Sequence, residues 1–543
     1  MKTTPFPKLA SSENVPRAEE ALAAYWERER VFERSVEGRP ADRPFVFYEG
    51  PPTANGRPGV HHVIARLCKD LVCRYRTMRG YRVVRKAGWD THGLPVEIEV
   101  ERELGIVRKE QIEEFGIAEF NRKCRDSVFR YEKDWVAFTR RIGYWLDLEH
   151  PYVTYHNSYI ESVWWIIKEF WKAGLVYQGH KIVPFCPRCE TSLSSHEVSQ
   201  GYKDASDPSV FVMFRRLKSD DEFLVWTTTP WTLISNAALA VGADHDYVRV
   251  SHNGRTLVLA EARLSVLDGE YTVIAKMKGA ELVGSRYQPL FPYYADTPDA
   301  FRVVAGNFVS LEDGTGIVHI APAFGEDDYS LHREAGVPLI QAVAPNGHFV
   351  ERVTEWKDQF IKDADPSITR ALKQNGRLYK SGKITHSYPF CWRCSTPLMY
   401  YARKSWYIRT TSFKDRMIEA NRTINWIPKE VGEHRFGNWL ENNVDWSLSR
   451  ERYWGTPLNV WTCAGCGAQD AVGSIAELRE RAVNMPADDA SLDLHRPFVD
   501  EIELKCACGK SMKRVKEVID VWFDSGAMPF AQYHHPWDET KTF

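Results

Sequence analysis

The spacing of apolar residues changes several times along the chain, and each change predicts an element. In residues 17–35 (RAEEALAAYWERERVFERS), Leu22, Tyr25, Trp26 and Phe32 share one broad face of a 3.6-residue repeat, which predicts an amphipathic helix. The run PFVFY (44–48) predicts a short buried strand, and EGPPTANGRPG (49–59) is rich in turn formers. From His61 to Met78 the pattern is helical again, and YRVVRKAGWD (81–90) predicts a second strand with its exit loop. Strand, loop, helix and strand make a βαβ unit, which requires a parallel sheet. Ligands bind beyond the carboxyl ends of such strands. The loops 49–62 and 87–95 are therefore expected on one rim.

Residues 110–180 read as mostly helical, with tryptophans whose simplest role is core packing. From about residue 200 the texture becomes short strands: SVFVMFRR, EFLVWTTT, YVRVSHNGRTLVLA and GTGIVHIAP. They predict a β-rich insertion running to about residue 385 within an α/β chain.

A length of 543 residues suggests three or four domains. No apolar run reaches the ~18 residues of a membrane span, and the start has no apolar signal segment, so a cytoplasmic location is expected. The net charge of −2 is not that of a dedicated nucleic-acid binder. One basic run, Arg74, Arg76, Arg79, Arg82, Arg85 and Lys86, reads either as a solvated face or as a nucleic-acid or phosphate contact.

Cysteine adds chemistry. Eight of the 11 fall in close pairs: Cys186/Cys189, Cys391/Cys394, Cys463/Cys466 and Cys506/Cys508. Such pairing favours structural zinc over disulfides. The first two pairs bound the β-rich insertion, so one tetrahedral site would clip its entry to its exit. The other two, with Gly467 and Gly509 at tight turns, predict a zinc ribbon. Four thiolates leave no open position, which makes both sites structural.

Five segments now come together: GWDTHGLPVE (88–97), WTTTPWTLISNAALAV (226–241), GTGIVHIAPAFGEDDY (314–329), SRERYWGTPL (449–458) and DVWFDSGAMPFAQ (520–532). In this order they resemble the class I aminoacyl-tRNA synthetases, most narrowly the isoleucyl branch, with the valyl branch as the alternative. The resemblance covers essentially the whole chain. It implies a Rossmann-type catalytic domain split by an inserted editing domain. The expected boundaries are 1–45 for a helical segment, 46–185 for the first catalytic half, 186–394 for the insertion, and 395–543 for an incomplete second half with a zinc ribbon at about 460–512. It implies a monomer that uses isoleucine, ATP with Mg2+, and tRNA(Ile), and that hydrolyses mischarged valyl-tRNA(Ile). A chain competent only for hydrolysis, or a zinc-binding RNA module, are the competing readings.

Residue by residue, Asp90 resembles the anchor for the substrate ammonium; its structural alternative is a helix N-cap. Pro51, Pro52 and Trp454 resemble positions near the amino-acid pocket, and Trp522 and Asp524 resemble residues lining it. The family's His-x-Gly-His nucleotide motif reads here Gly59-Val60-His61-His62, with the first histidine and the glycine exchanged. A helix N-terminus still favours phosphate. The exchange is expected either to rearrange the ATP pocket or to damage activation, and to weaken inhibitors that fill the adenine side. The family's Lys-Met-Ser-Lys-Ser loop has no counterpart, since Lys510-Ser511-Met512-Lys513 lies in the ribbon. Little aminoacylation by this chain alone is therefore expected. In the insertion, Asp328 resembles the carboxylate that holds the α-amino group, with Asp327 the lesser candidate. His319 resembles the residue limiting side-chain size, and Trp226, Thr228, Thr229 and Thr232 resemble the wall for the terminal adenosine and the attacking water. The plain alternative for the threonines is β propensity.

Overall fold

The computed structural model describes residues 14–53, 56–486, 488 and 491–538. Residues 1–13 of the expected amino-terminal segment lie outside the described residues. The chain divides into two compact units: Met1–Leu175 with Ser449–Phe543, and Val176–Leu448.

In the first unit, the single helix expected over 17–35 is two, Val15–Arg28 and Val31–Glu37, broken where Arg30 takes a left-handed conformation (φ 49°). Trp26 and Phe32 pack on Trp145, whereas Leu22 and Tyr25 are exposed. The segment PFVFY is no continuous strand. It runs beside Arg82–Asp90 through isolated parallel bridges, Pro44 with Arg82 and Thr53 with Asp90. Pro44, Pro51 and Pro52 lack the amide donors that a regular ladder needs. The next strand, Lys86–Trp89, is shorter than expected and pairs in parallel with Asp147–Val153. Gly88 lies so close to Tyr152 that a Cβ would sit 1.9 Å from its ring, so no larger residue fits there. The Asp90 amide donates to the Pro52 carbonyl (3.1 Å), which joins the two expected loops at one rim.

Helix His61–Met78 is built inside out. Its buried face is polar: Arg66 donates to Thr139, and Asp70 pairs with Arg74 and Arg85. Its apolar face, Ile64, Leu71, Tyr75 and Met78, is exposed. Arg74 also lies 3.6 Å over the Trp145 ring. Two members of the basic run are thus internal struts, not a solvated phosphate patch. Trp164, in helix Asn157–Lys172, is fully buried and donates to the Pro457 carbonyl (2.8 Å), as core packing requires. Strands Val460–Cys463, Gln469–Ala471, Leu504–Lys505 and Ser511–Arg514 form a four-stranded antiparallel ribbon that contains Met512 and Lys513.

The second unit is organised on a nine-stranded mixed sheet. Asp221–Thr227 lies in its middle, flanked by Arg255–Ala260 and by Ile317–Ile320, which continues to Ala238–Val241 and Arg302–Ala305. A long antiparallel pair, Tyr202–Arg215 with Leu378–Pro389, joins at Asp221–Thr227. Strand Val176–Cys186 pairs with Met399–Ile408 over ten positions in a second sheet. That pairing is why the unit runs from Val176 to Leu448 and is wider than the expected 186–394.

Candidate functional site

The central strand and its neighbour carry the site. Asp221–Thr227 ends on the threonine run, Ile317–Ile320 presents His319, and helix Glu326–Ala335 presents Asp328 from its first turn. They enclose a cavity of about 390 Å3, lined among others by Trp226, Thr228, Thr229, Thr232, His319 and Asp328. All six sequence-predicted residues of the insertion therefore meet in one place. Asp327 is exposed and does not line the cavity. Phe308, Ser310 and Asp313 line it too, and no motif pointed to them.

Asp328 accepts the Ala321 amide at 2.8 Å, and the helix N-terminus favours its charge. Burial nevertheless raises its pKa to about 6. A carboxylate held at this cost, with one side toward a cavity, suits an ammonium ligand.

His319 is fixed by a chain of donors. The Tyr287 hydroxyl donates to Asn236 Oδ1 (2.7 Å), and Asn236 Nδ2 donates to the Ala238 carbonyl and to His319 Nδ1 (both 2.9 Å). Nε2 must then carry the imidazole proton, which it gives to Thr232 Oγ1 at 3.0 Å. Thr232 in turn donates to the Thr229 carbonyl (2.7 Å). Burial lowers the His319 pKa to about 3, so the ring is neutral near pH 7. Asn236 lies inside the motif Trp226–Val241 and Tyr287 outside every motif; sequence reasoning assigned neither a role.

On the rim of the first unit, Asp90 Oδ2 accepts the Ser525 hydroxyl at 3.1 Å. Helix Leu94–Leu104 is capped by Gly93, so Asp90 is not its N-cap. Pro51, Pro52 and Trp522 are half-buried nearby in sequence to this rim. Trp454, expected near the amino-acid pocket, and Asp524, expected to line it, are both engaged by neighbours. Trp454 is fully buried, donates from Nε1 to the Thr91 carbonyl (2.6 Å) and stacks on His495 at 4.7 Å. Asp524 is fully buried, with Oδ1 on Thr456 (2.8 Å) and Oδ2 on His92 (2.6 Å). Asp524 thereby satisfies the buried His92, whose other ring nitrogen meets His495 at 2.9 Å.

At the N-terminus of His61–Met78, the Gly59 amide donates to His62 Nδ1 (2.9 Å), and the His61 and His62 rings lie 3.9 Å apart. A Cβ on Gly59 would meet the His61 ring at 2.6 Å. Positions 59 and 61 are therefore sterically coupled. Gly59→His alone is expected to turn the exposed His61 ring aside at a cost within about 0.5 kcal/mol. Thermal denaturation of the single variant and of the double variant with His61→Gly checks this; a single variant that melts several degrees below the double would refute it.

The cysteines form two quartets, Cys186/Cys189/Cys391/Cys394 and Cys463/Cys466/Cys506/Cys508, each with all sulfurs within 4.8 Å of one another. Sulfur contacts of 3.5 and 3.6 Å occur in both. A tetrahedral Zn2+ with Zn–S of about 2.3 Å sets sulfurs roughly 3.8 Å apart, so both quartets fit zinc. Amides also point at sulfur, Cys189 N–H to Cys186 and Gly465 N–H to Cys463 (both 3.4 Å). Gly467 and Gly509 have φ of 73° and 83°, as the tight turns require.

Against known proteins, the sequence model of the family described as tRNA synthetases class I (I, L, M and V) matches residues 21–543. The isoleucine–tRNA ligase of Clostridium acetobutylicum is 52% identical over 540 residues, covering 99% of this chain and 52% of that protein. That of Clostridium novyi is 51% identical over 541 residues, with the same shares covered. Isoleucine–tRNA ligase 2 of Bacillus cereus is 50% identical over 539 residues, again 99% and 52%. A solved LeuRS–tRNA–LeuAMS ternary complex from Agrobacterium radiobacter K84 aligns with a TM-score of 0.40 at 16% identity, over 96% of this chain and 60% of that one. The chain thus spans about half the length of the curated relatives it matches. With the family's sequence model matched over nearly all its residues, this chain belongs to the class I tRNA synthetases of the I, L, M and V group.

Proposed function

We propose that the chain is the activation and editing portion of an isoleucine–tRNA ligase, and that its cavity hydrolyses valyl-tRNA(Ile). The observation that carries this is the convergence of Asp328, His319 and the threonine run on one cavity. The need for such a site is energetic. One methylene is worth only about 1–3 kcal/mol in a hydrophobic pocket, isoleucine against valine being the standard case. Asp328 pairs with the α-ammonium of the misattached residue, and the threonine hydroxyls orient a water. The water oxygen bonds to the ester carbonyl carbon, the ester C–O bond breaks, and a proton passes to the ribose oxygen. Valine and free tRNA leave.

For activation, Asp90 anchors the ammonium of isoleucine, and the amides at the start of His61–Met78, with His61 and His62, face the phosphates of MgATP. The two cysteine quartets hold zinc as a structural ion. No helix among the described residues is long and apolar enough to cross a membrane, and cytoplasmic work with tRNA(Ile) fits that.

The test is to mix the purified chain separately with valyl-tRNA(Ile), isoleucyl-tRNA(Ile) and threonyl-tRNA(Val). Selective release of valine from the first is expected. Preference for the threonyl substrate would mean the valyl branch, and no release from any would sink the hydrolytic reading. Charging of tRNA(Ile) by this chain alone is expected to be negligible; steady isoleucylation with ATP would refute that.

A further inference from the structure

The turn that carries the threonines has its cap in an unusual place. Pro230–Ser235 is a 3-10 helix whose N-cap is Thr229, a residue type that ordinarily accepts a hydrogen bond from an amide of its own first turn. Thr229 makes no such bond. Its hydroxyl contacts the hydroxyls of Thr232 (3.0 Å) and Thr227 (3.2 Å), and the residue lines the cavity. The orphan amide of the turn, Trp231 N–H, is taken instead by Asp365 Oδ1 at 2.9 Å. Asp365 lies 134 residues away in helix Ile361–Gln374, is 5% exposed and does not line the cavity.

We infer that Asp365 is a positioning residue of the hydrolytic site: by capping the turn from outside, it releases the Thr229 hydroxyl to the cavity. The physical ground is competition. A cap satisfied from within would hold Thr229 Oγ1 on the Trp231 amide, away from Thr232 Oγ1, since the Thr232 amide already donates to the Thr229 carbonyl (3.0 Å). Thr232 also receives the His319 proton, so the cap reaches the whole wall through one hydroxyl pair. The neighbourhood keeps the carboxylate in place. Asp207 pairs with Lys362 (2.8 Å) and with His386 (3.0 Å), and Asp207 and Lys362 are the charges that act on Asp365. Burial raises the Asp365 pKa to about 7, as is usual for a buried carboxyl retained for one acceptor oxygen.

This inference rests on the hydrolytic reading above, so its test has one arm that needs no tRNA. In a crystal structure of the Asp365→Ala chain, the Thr229 hydroxyl is expected to turn toward the Trp231 amide; a hydroxyl still on Thr232 Oγ1 would overturn the inference. In the kinetic arm, Asp365→Ala is expected to lower kcat for valyl-tRNA(Ile) hydrolysis about 10- to 100-fold with KM within about twofold, the scale of a small misplacement. Asp365→Asn keeps an acceptor oxygen and should stay within about threefold of the parent in kcat. Equal losses in both variants, or a loss confined to KM, would also overturn it. A parent chain that hydrolyses no aminoacyl-tRNA would refute the hydrolytic reading and leave the Thr229 rotamer to decide the role of Asp365.

Discussion

Replacing Asp328 with alanine is expected to slow hydrolysis of valyl-tRNA(Ile) by about 10- to 100-fold. A hydrogen bond to a charged partner is worth about 1.5–3 kcal/mol, and 1.4 kcal/mol is a factor of ten. Asp328 is the one carboxylate on the cavity that belongs to a helix first turn and is anchored by a backbone amide. The same group sets a pH dependence. Its pKa of about 6 means that it carries a proton below pH 6 and cannot pair with an ammonium there. The rate at low substrate should fall tenfold per unit as pH drops below about 6. Stability moves the other way. A carboxyl whose folded pKa lies above its unfolded value binds its proton more tightly in the fold. Its contribution to stability is therefore fully present below the unfolded pKa near 4 and is lost as pH rises through about 6. Activity lost between pH 7 and 5 with no loss of melting temperature would match Asp328. A flat rate profile, or an Asp328→Ala chain as active as the parent, would remove Asp328 from the mechanism.

Zinc removal should have the larger effect on stability. The two quartets predict two ions per chain, released in two phases. In the ribbon quartet Cys466 and Cys508 are exposed, so a chelator should empty it first. In the other, Cys186, Cys189 and Cys391 are buried and only Cys394 is half-buried. That quartet ties the end of strand Val176–Cys186 to the turn before Met399–Ile408. Structural zinc contributes about 10–16 kcal/mol of binding free energy, part of it realised as folding. If Cys391→Ser forfeits even about 4 kcal/mol, the melting temperature should drop by roughly 8–16 °C for a unit of this size. Metal analysis with calorimetry checks both points. A chain that carries no zinc, or melts unchanged without it, would show that the quartets do not serve as metal sites.

Much of the cavity of the second unit was legible in the sequence because Trp226, the threonines, His319 and Asp328 fall in three short motifs, each with a polar pattern that β propensity alone does not produce. Trp226–Thr232, Val318–Ile320 and Gly325–Asp328 needed only the sheet to bring them together. What was not legible acts across long separations. Tyr287 reaches Asn236, and Asp365 reaches Trp231, with no local signature at either. The cysteine quartets were readable from spacing, since metal geometry constrains it. The rim of the first unit was less so. Trp454 and Asp524 sit in recognisable motifs, yet the contacts that bury them come from His92, His495 and Thr456, which periodicity does not connect. Continuous pattern also overstated order: PFVFY looks like a strand, but it makes one isolated bridge, Pro44 with Arg82.

The donor chain through His319 has a consequence for anyone who would reshape this cavity. Each ring nitrogen is committed, Nδ1 to the amide of Asn236 and Nε2 to the hydroxyl of Thr232. A replacement at 319 therefore removes one hydrogen bond from each of two partners at once. Substitutions at 232, 236, 287 and 319 should combine non-additively, because they share one directed sequence of protons. A library that varies one position at a time will score nearly every change as a loss. New side-chain tolerance should emerge only among variants that rewrite the sequence from Tyr287 to Thr229 together.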